Sequence, residues 1–272
     1  MKNKILYIIL PILLLAACKK ALMEEPKSIA VETFYNTPSE IESAIFSIYS
    51  PIRNFNCMGG LYPAIQESSP DYGYGRGTQG PISNYQGLDN SNITRVGAMW
   101  TLFYQSIKNA NIVIKNVAAS ARVSDTQKAA YLGEAKFMRG LIYFIMVQNW
   151  AGIPLRTEDN STEIDVPRNS VAEVYQLISD DLSYAEQNLP DNPPAPGRPS
   201  KWVAKTVLAD VYRHLGKWPE ARDKAAEVIN AAKYSMVEVS TASDFSKIFG
   251  PDVVSTAEEI FSLKYSREGN QG

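Results

Sequence analysis

Residues 197–236 read GRPSKWVAKTVLADVYRHLGKWPEARDKAAEVINAAKYSM. Apolar side chains recur at helical spacing on both sides of Gly216, which predicts helices at about 200–215 and 219–232 joined by a tight turn. Tetratricopeptide spacing is carried by Leu208, Ala209, Tyr212, Gly216, Trp218, Ala221, Ala225 and Val228. The alanines allow two antiparallel helices to approach closely, and we expect Tyr212 and Trp218 to fill the gap. A generic helical hairpin is the alternative interpretation.

The same pattern recurs earlier in the chain. Gly140 and Tyr143 stand in the same relation to each other as Ala209 and Tyr212 do, which predicts a second helix pair from 130–150 and 170–189. One helix pair cannot bury its apolar face alone, so several pairs should stack. The sequence therefore predicts a stack of helical pairs.

Further helices are predicted on both sides of this repeat. Thr37 and Glu40 form a capping box with Pro38 at the first helical position, and Ser170 and Glu173 form another. An apolar stripe begins at Trp100, and the helix at 125–150 is apolar nearly all round in its second half, so it should be central. Residues 54–97 have no sustained period and predict a long loop, and residues 260–265 alternate like a short strand. The fold class is mainly α, with tetratricopeptide-like pairs, long loops and little β structure.

Composition excludes several classes of protein. The chain of 272 residues is 45% hydrophobic and 21% charged, which is ordinary for a globular domain. A net charge of −2 excludes nucleic-acid binding through global charge. A single histidine excludes a His-rich metal site, and two cysteines cannot build a disulfide framework. No nucleophile–base pair can be assembled, so we predict no catalytic residue, metal or cofactor, and no enzyme.

The N-terminus resembles the export signal of a bacterial lipoprotein. Lys2 and Lys4 precede an apolar run from Ile5 to Ala17, which is too short for a spanning helix of ~20 residues. The run ends in the lipobox-like quartet Leu15-Ala16-Ala17-Cys18, so Cys18 is the predicted lipidation site and membrane anchor. An ordinary secretory signal with an incidental cysteine is the alternative. We expect a signal peptide at 1–17, a tether at 18–36 and a helical domain at 37–272.

Several sequence segments, in their order along the chain, resemble the RagB/SusD family of outer-membrane nutrient-binding lipoproteins from Bacteroidetes. The resemblance is carried by WTLFYQSIKNANIVIKNV (100–117), GEAKFMRGLIYFIMVQNWAGIPL (133–155), VPRNSVAEVYQLISDDLSYAEQNLP (166–190), residues 197–236 and TAEEIFSLKYS (256–266). Family members are considerably longer, so the chain resembles their N-terminal half, and the C-terminal half of the family fold is expected to be missing.

The resemblance implies a lipid-anchored protein at the outer membrane, exposed at the cell surface. Such a protein captures glycans and delivers them to a SusC-type TonB-dependent transporter, which the tetratricopeptide face is expected to contact. The family is not enzymatic. A peptide-binding importer on the same scaffold and a tetratricopeptide assembly scaffold without a small ligand are the alternatives.

The candidate ligand site lies in QESSPDYGYGRGTQGPISNYQGLDN (66–90). Three tyrosines there offer flat faces, and three polar side chains offer hydrogen-bonding edges. A sugar has an apolar C–H face and a rim of hydroxyl groups, which such a set suits. The candidate residues are Asp71, Tyr72, Tyr74, Arg76, Asn84 and Tyr85. The alternative is a surface loop whose tyrosines pack on the scaffold.

Other conspicuous residues have structural interpretations. Gly75-x-Gly77-x-x-Gly80 spells a dinucleotide fingerprint, but no apolar strand precedes it and Pro81 follows where a helix should begin. The pairs Asp180-Asp181 and Glu258-Glu259 are expected on solvated faces or at polar packing positions, because adjacent helical residues point in different directions.

The remaining charged and aromatic candidates are also expected to be structural. His214 has no sequence partner, and Cys57 is expected to be a buried or tolerated thiol. Glu134 and Arg139 lie in a very apolar helix, so we expect each to have a buried partner of opposite charge. Trp100 opens an apolar stripe and is expected in the core rather than at a ligand.

Overall fold

The structure is a computed structural model, and it describes residues 34–86, 93–250 and 252–265. The predicted signal peptide, Cys18 and most of the predicted tether lie outside these residues. Nine α-helices occur in the described residues: α1 (Pro38–Arg53), α2 (Leu61–Ser68), α3 (Gly80–Ser83), α4 (Ile93–Ala119), α5 (Asp125–Trp150), α6 (Val171–Asn188), α7 (Lys201–His214), α8 (Trp218–Asn230) and α9 (Ser246–Phe249). The mainly α prediction is confirmed. None of the described helices is long and apolar enough to cross a membrane.

Side-chain caps fix the starts of the principal helices. At α1 the Thr37 hydroxyl accepts from the Glu40 N–H at 3.3 Å, and the Glu40 carboxylate accepts from the Thr37 N–H at 2.9 Å. At α6 the Ser170 hydroxyl accepts from the Glu173 N–H at 3.3 Å, and the Glu173 carboxylate accepts from the Ser170 N–H at 2.7 Å. Each box satisfies two donors that the helix start leaves unpaired, so both predicted capping boxes are confirmed.

The long helices pack against one another in pairs. Helix α5 packs on α6, α1 on α4 and α7 on α8, and further contacts join α4 to α5 and α6 to α7. Glycine allows the closest approach between α5 and α6. A Cβ atom added at Gly140 would lie 3.3 Å from the Cβ atom of Asp181 and from Cγ of Leu182. The predicted pairs 130–150 with 170–189 and 200–215 with 219–232 are confirmed.

The second half of α5 is the centre of the molecule. Its fully buried side chains include Phe137, Met138, Ile142, Tyr143 and Met146, so the expectation that this helix is central is confirmed. Full burial of a side chain of this size contributes about 1.5–3 kcal/mol, so these residues of α5 add substantially to the hydrophobic stabilisation.

One buried ion pair crosses from α5 to α6. Arg139 and Asp181 have side chains only 2% and 1% exposed, and two hydrogen bonds of 2.7 and 2.9 Å join them. Arg139 Nη1 also donates to Asn111 Oδ1 at 2.7 Å and to the carboxylate of Glu158. Asp181 is therefore a buried packing residue rather than a solvated one, because it neutralises the charge that α5 carries into the core.

A second buried ion pair joins α5 to the residues before α7. Arg198 donates to both carboxylate oxygens of Glu134, with the shortest bond 2.6 Å long. The Tyr49 hydroxyl donates to Glu134 Oε1 at 2.7 Å. The expectation that Glu134 and Arg139 are structural, each with an oppositely charged partner, is confirmed.

Two local predictions are wrong. Residues 54–97 are not one loop, because α2, α3, the start of α4 and a 3₁₀ turn at Gly77–Gln79 lie within them. Residues 260–265 are not a strand, because none of the described residues supplies a second strand and a hydrogen-bonded ladder beside them. Side-chain contact holds this segment instead, with the Phe261 ring edge-on to Phe137 at 5.5 Å.

The interpretation of Trp218 is also wrong. Its side chain is 64% exposed and does not fill the gap between α7 and α8. The residue occupies the first position of α8, where the chain has only just left the turn at Gly216, so the ring lies beyond the helix–helix contact. Tyr212, in contrast, is half-buried.

Candidate ligand-binding loop

The candidate site is the segment 69–86, which follows α2. Ser83 links the later part of this segment to its middle and its beginning. The Ser83 hydroxyl accepts from the Gly75 N–H at 2.8 Å and donates to the Ser68 carbonyl at 2.7 Å. Gly77 has a φ of 56°, a left-handed conformation that glycine adopts without steric cost. The segment is therefore folded by its own hydrogen bonds, which place its larger side chains outward.

The three predicted tyrosines all face solvent. Tyr72, Tyr74 and Tyr85 are 76%, 68% and 79% exposed. The faces of these three rings are therefore accessible to a ligand, and their role in ligand binding stays a prediction.

Hydrogen bonds orient two of the three tyrosines, Tyr72 and Tyr85, through their hydroxyl groups. Tyr72 Oη donates to Glu67 Oε2 at 3.0 Å, and this bond, together with the negative charge of Glu67, raises the pKa of Tyr72. Tyr85 Oη donates to the Ser69 carbonyl. Tethering at the hydroxyl end limits the motion of each ring while leaving its face open, so less conformational entropy is lost on ligand binding.

Asn84 is the predicted polar residue that the structure brings to a tyrosine. Its Nδ2 atom lies 3.5 Å from Tyr74 Oη, a long hydrogen bond. Asp71 and Arg76 are exposed, and among the described residues neither has an ion pair or a side-chain hydrogen bond. Their charged ends are therefore available to hydroxyl or charged groups of a ligand.

The other motifs of the sequence do not form a second chemical site. The Gly75–Gly80 motif leads into α3, a single turn with Pro81 as its second residue, and no strand precedes it in the described chain. His214 Nδ1 donates to the Asp210 backbone carbonyl at 3.0 Å, and the His214 ring lies edge-on to Phe144. Cys57 is buried, and burial raises the pKa of its thiol to about 11, so it stays protonated at neutral pH.

Sequence reasoning missed a cluster of aromatic rings in which side chains of α2, α4 and α5 meet. Tyr62 of α2 contacts Phe103 edge-on at 6.3 Å, and Trp100 contacts Trp150 edge-on at 5.4 Å and Tyr104 at 5.0 Å. Trp100 packs as expected, yet it remains half-buried and lines an open cleft. The signal available in the sequence was the aromatic pair Trp100 and Tyr104, one turn apart on α4.

Paired helices around a central α5, with an outward aromatic loop on one side, define a helical-repeat protein with an open, mixed polar and aromatic surface. The sequence matches the SusD-like family model described as "Starch-binding associating with outer membrane" over residues 79–213. A SusD-like protein of Bacteroides ovatus is 30% identical over all of this chain and 48% of its own length.

Solved structures agree with this relationship. A SusD-like protein from Bacteroides fragilis superposes with a TM-score of 0.73 at 23% identity, covering 87% of this chain and 46% of that protein. A laminarin-binding SusD-like protein superposes with a TM-score of 0.61 at 25% identity, covering 75% and 47% of the two chains. The chain belongs to the SusD-like (RagB/SusD) family. It spans about half the length of the curated relatives it matches.

Proposed function

We propose that this protein is a glycan-binding component of an outer-membrane nutrient-uptake system. The observation that carries the proposal is the outward array of Tyr72, Tyr74 and Tyr85 on a segment fastened by its own hydrogen bonds. Flat aromatic faces stack on the C–H face of a pyranose, and Asp71, Arg76 and Asn84 supply polar groups for its hydroxyls. The laminarin-binding relative supports glycan as the ligand class.

Binding to immobilised polysaccharide tests this proposal. Native electrophoresis through gels containing starch or laminarin should retard the protein, and the Tyr72→Ala/Tyr74→Ala variant should migrate as it does in a gel without polysaccharide. Phe55→Ala provides a matched control, because Phe55 is 71% exposed but lies outside the loop. Equal retardation of the native protein and the tyrosine variant would contradict the assignment of the loop, and a lack of retardation in both gels would contradict glycan binding.

We propose further that the protein captures its ligand without altering it. The loop offers stacking surfaces and hydrogen-bonding groups but no adjacent acid–base pair, which glycoside hydrolysis requires. Chromatography of maltohexaose and laminarihexaose after prolonged incubation with the protein should show both sugars intact. Appearance of shorter products that persist after further purification would contradict a purely binding role.

Anchoring at the outer membrane and delivery to a SusC-type transporter complete the proposal. The lipobox-like sequence before Cys18 and the description of the matching family as "associating with outer membrane" support this placement. A Cys18→Ala variant expressed without the transporter should leave the membrane fraction. Its retention there would contradict lipid anchoring.

Co-purification of the native protein with a neighbouring TonB-dependent transporter would support delivery. Capture of proteins without sugar binding would favour an assembly scaffold.

A further inference from the structure

An open cleft lies apart from the candidate loop. Its volume is about 600 Å³, and it is lined by Trp100, Tyr104, Pro154, Arg156 and the segment from Ile164 to Pro167. This volume lies within the range of known small-ligand sites, ~300–1,000 Å³. None of the six residues proposed for the candidate loop lines this cleft.

Hydrogen bonds hold the wall of the cleft rigidly in place. The Tyr104 hydroxyl donates to the Pro154 carbonyl at 2.7 Å, and the Tyr143 hydroxyl accepts from the Arg156 N–H at 2.7 Å. Asn111 Nδ2 donates to the Arg156 carbonyl at 3.0 Å. These bonds tie the wall to α4 and α5, so the cleft keeps its shape when it is empty and binding requires little reordering.

Arg156 also folds the outer rim of the cleft. Its two Nη atoms donate to the carbonyls of Glu163 and Ile164 at 2.5 and 2.9 Å. A guanidinium has five N–H donors, so this arrangement leaves further donors beside the cleft. On the same rim, Ile164 is 89% exposed, and Asp165 is exposed with no hydrogen bond or ion pair among the described residues.

The chemistry of this lining fits a neutral sugar. Trp100, Tyr104 and the prolines present apolar surface, while Arg156 offers donors and Asp165 offers acceptors. A hydroxyl group both donates and accepts, so a pyranose can use both charged residues at once. A strongly charged ligand would be repelled by whichever of these two residues carries a charge of the same sign as the ligand. The exposed Ile164 side chain is suited to cover a C–H face.

We infer that this cleft, formed by Trp100, Tyr104, Arg156, Ile164 and Asp165, is a second sugar-binding site. The choice of sugar as ligand class rests on the proposed function. Two sites on one molecule bind separate units of a long glycan, and the second contact becomes intramolecular once the first has formed. The protein therefore holds polymers more tightly than short oligosaccharides.

Fluorine NMR of protein labelled with 5-fluorotryptophan tests the inference. Of the four tryptophans, Trp100 lines the cleft and Trp150 packs edge-on against Trp100, whereas Trp202 and Trp218 lie on α7 and α8 and serve as internal references. Titration with maltohexaose or laminarihexaose should shift the Trp100 signal in a saturable way. No shift with either sugar at concentrations up to about 10 mM, where even weak ligands bind, overturns the inference.

Variants separate this site from the candidate loop. Asp165→Asn and Ile164→Ser should each weaken the Trp100 response about tenfold, the effect of losing one charge-assisted hydrogen bond or one apolar cover. Asp159→Asn changes an exposed acid in the same segment that does not line the cleft, so it should have no effect. An unchanged response in Asp165→Asn and Ile164→Ser overturns the inference.

The Tyr72→Ala/Tyr74→Ala variant distinguishes failure of this inference from failure of the proposed function. A Trp100 response that persists in this variant supports an independent second site. A response that disappears there while surviving in Asp165→Asn overturns the second site and leaves the candidate loop as the sugar-binding surface.

Discussion

Replacing Arg139 with methionine tests how the core tolerates charge. The substitution keeps a long, flexible side chain but removes the guanidinium that neutralises Asp181, and both side chains are almost completely buried. The carboxylate is then left with Lys136, whose Nζ atom lies 3.3 Å from it and whose side chain is partly exposed. Breaking a buried ion pair from one side costs about 3–5 kcal/mol, because the charge that stays in the interior has lost its buried, doubly hydrogen-bonded partner.

The expected change in melting temperature follows from the size of the domain. For a domain of this size, 1 kcal/mol corresponds to about 2–4 °C, so Arg139→Met should lower the Tm by about 6–20 °C in thermal unfolding followed by circular dichroism. Arg222→Met is a matched control, because Arg222 pairs with Asp223 on the surface and its loss should cost less than about 0.5 kcal/mol.

A double variant decides whether the unpaired charge is the cause. Arg139→Met/Asp181→Leu removes both charges, and the half-buried Glu158 can then turn toward water. The double variant should therefore be more stable than the sum of the two single substitutions implies, by about 1–3 kcal/mol. Additive effects, or an Arg139→Met protein that melts within about 2 °C of the native protein, would refute the reasoning.

Three further substitutions or treatments follow from local geometry. Gly140→Ala should destabilise by about 1 kcal/mol in urea unfolding, because its Cβ atom crowds Asp181 and Leu182 at 3.3 Å, whereas Gly97→Ala on open α4 surface should stabilise by about 0.5–1 kcal/mol. Burial raises the pKa of Glu158. The charge of Arg139 and its hydrogen bond lower this pKa by more than burial raises it, so the net shift is downward from 4.5. Its stabilisation is present above pH 4.5 and is lost as the pH falls below that value, so Glu158→Gln should flatten the dependence of Tm on pH in this acidic range. Cys57 should react with a thiol reagent only after unfolding, since its pKa is raised to about 11 and it is buried, and rapid reaction of the native protein would contradict this placement.

The helical architecture could be predicted from local signals. Capping boxes at Thr37 and Ser170 mark helix starts because the same side chains satisfy helix donors in any context. The second half of α5, apolar nearly all round, predicts a central helix, which the structure confirms through its many buried side chains. These features depend on residues close together in sequence, so a single sequence contains them.

The missed features depend on contacts between distant residues. Helix α2 has only eight residues with a proline among them, and its position is fixed by Tyr62 against Phe103. Asp181 was expected at a solvated or polar packing position, and only its juxtaposition with Arg139 shows that it neutralises a buried charge. The open cleft needs the segment 154–167 to meet α4, which no local pattern indicates.

The candidate loop lies between these cases. Its composition predicted aromatic and polar surface, and the exposure of Tyr72, Tyr74 and Tyr85 agrees with that prediction. Sequence alone did not indicate that Ser83 closes the segment or that Ser69 and Glu67 hold two of the tyrosine hydroxyls. The ligand-binding role of the loop stays a prediction until sugar binding is measured.

Calorimetric titration of the protein with maltohexaose and laminarihexaose tests the central claim most directly. We expect saturable binding of at least one sugar, and a loss of about tenfold in affinity for each tyrosine removed in the Tyr72→Ala and Tyr74→Ala variants, as stacking on one ring contributes about 1–1.5 kcal/mol. Binding that is unchanged in both variants, or an absence of heat with both sugars while the protein remains folded, would contradict glycan capture by this loop.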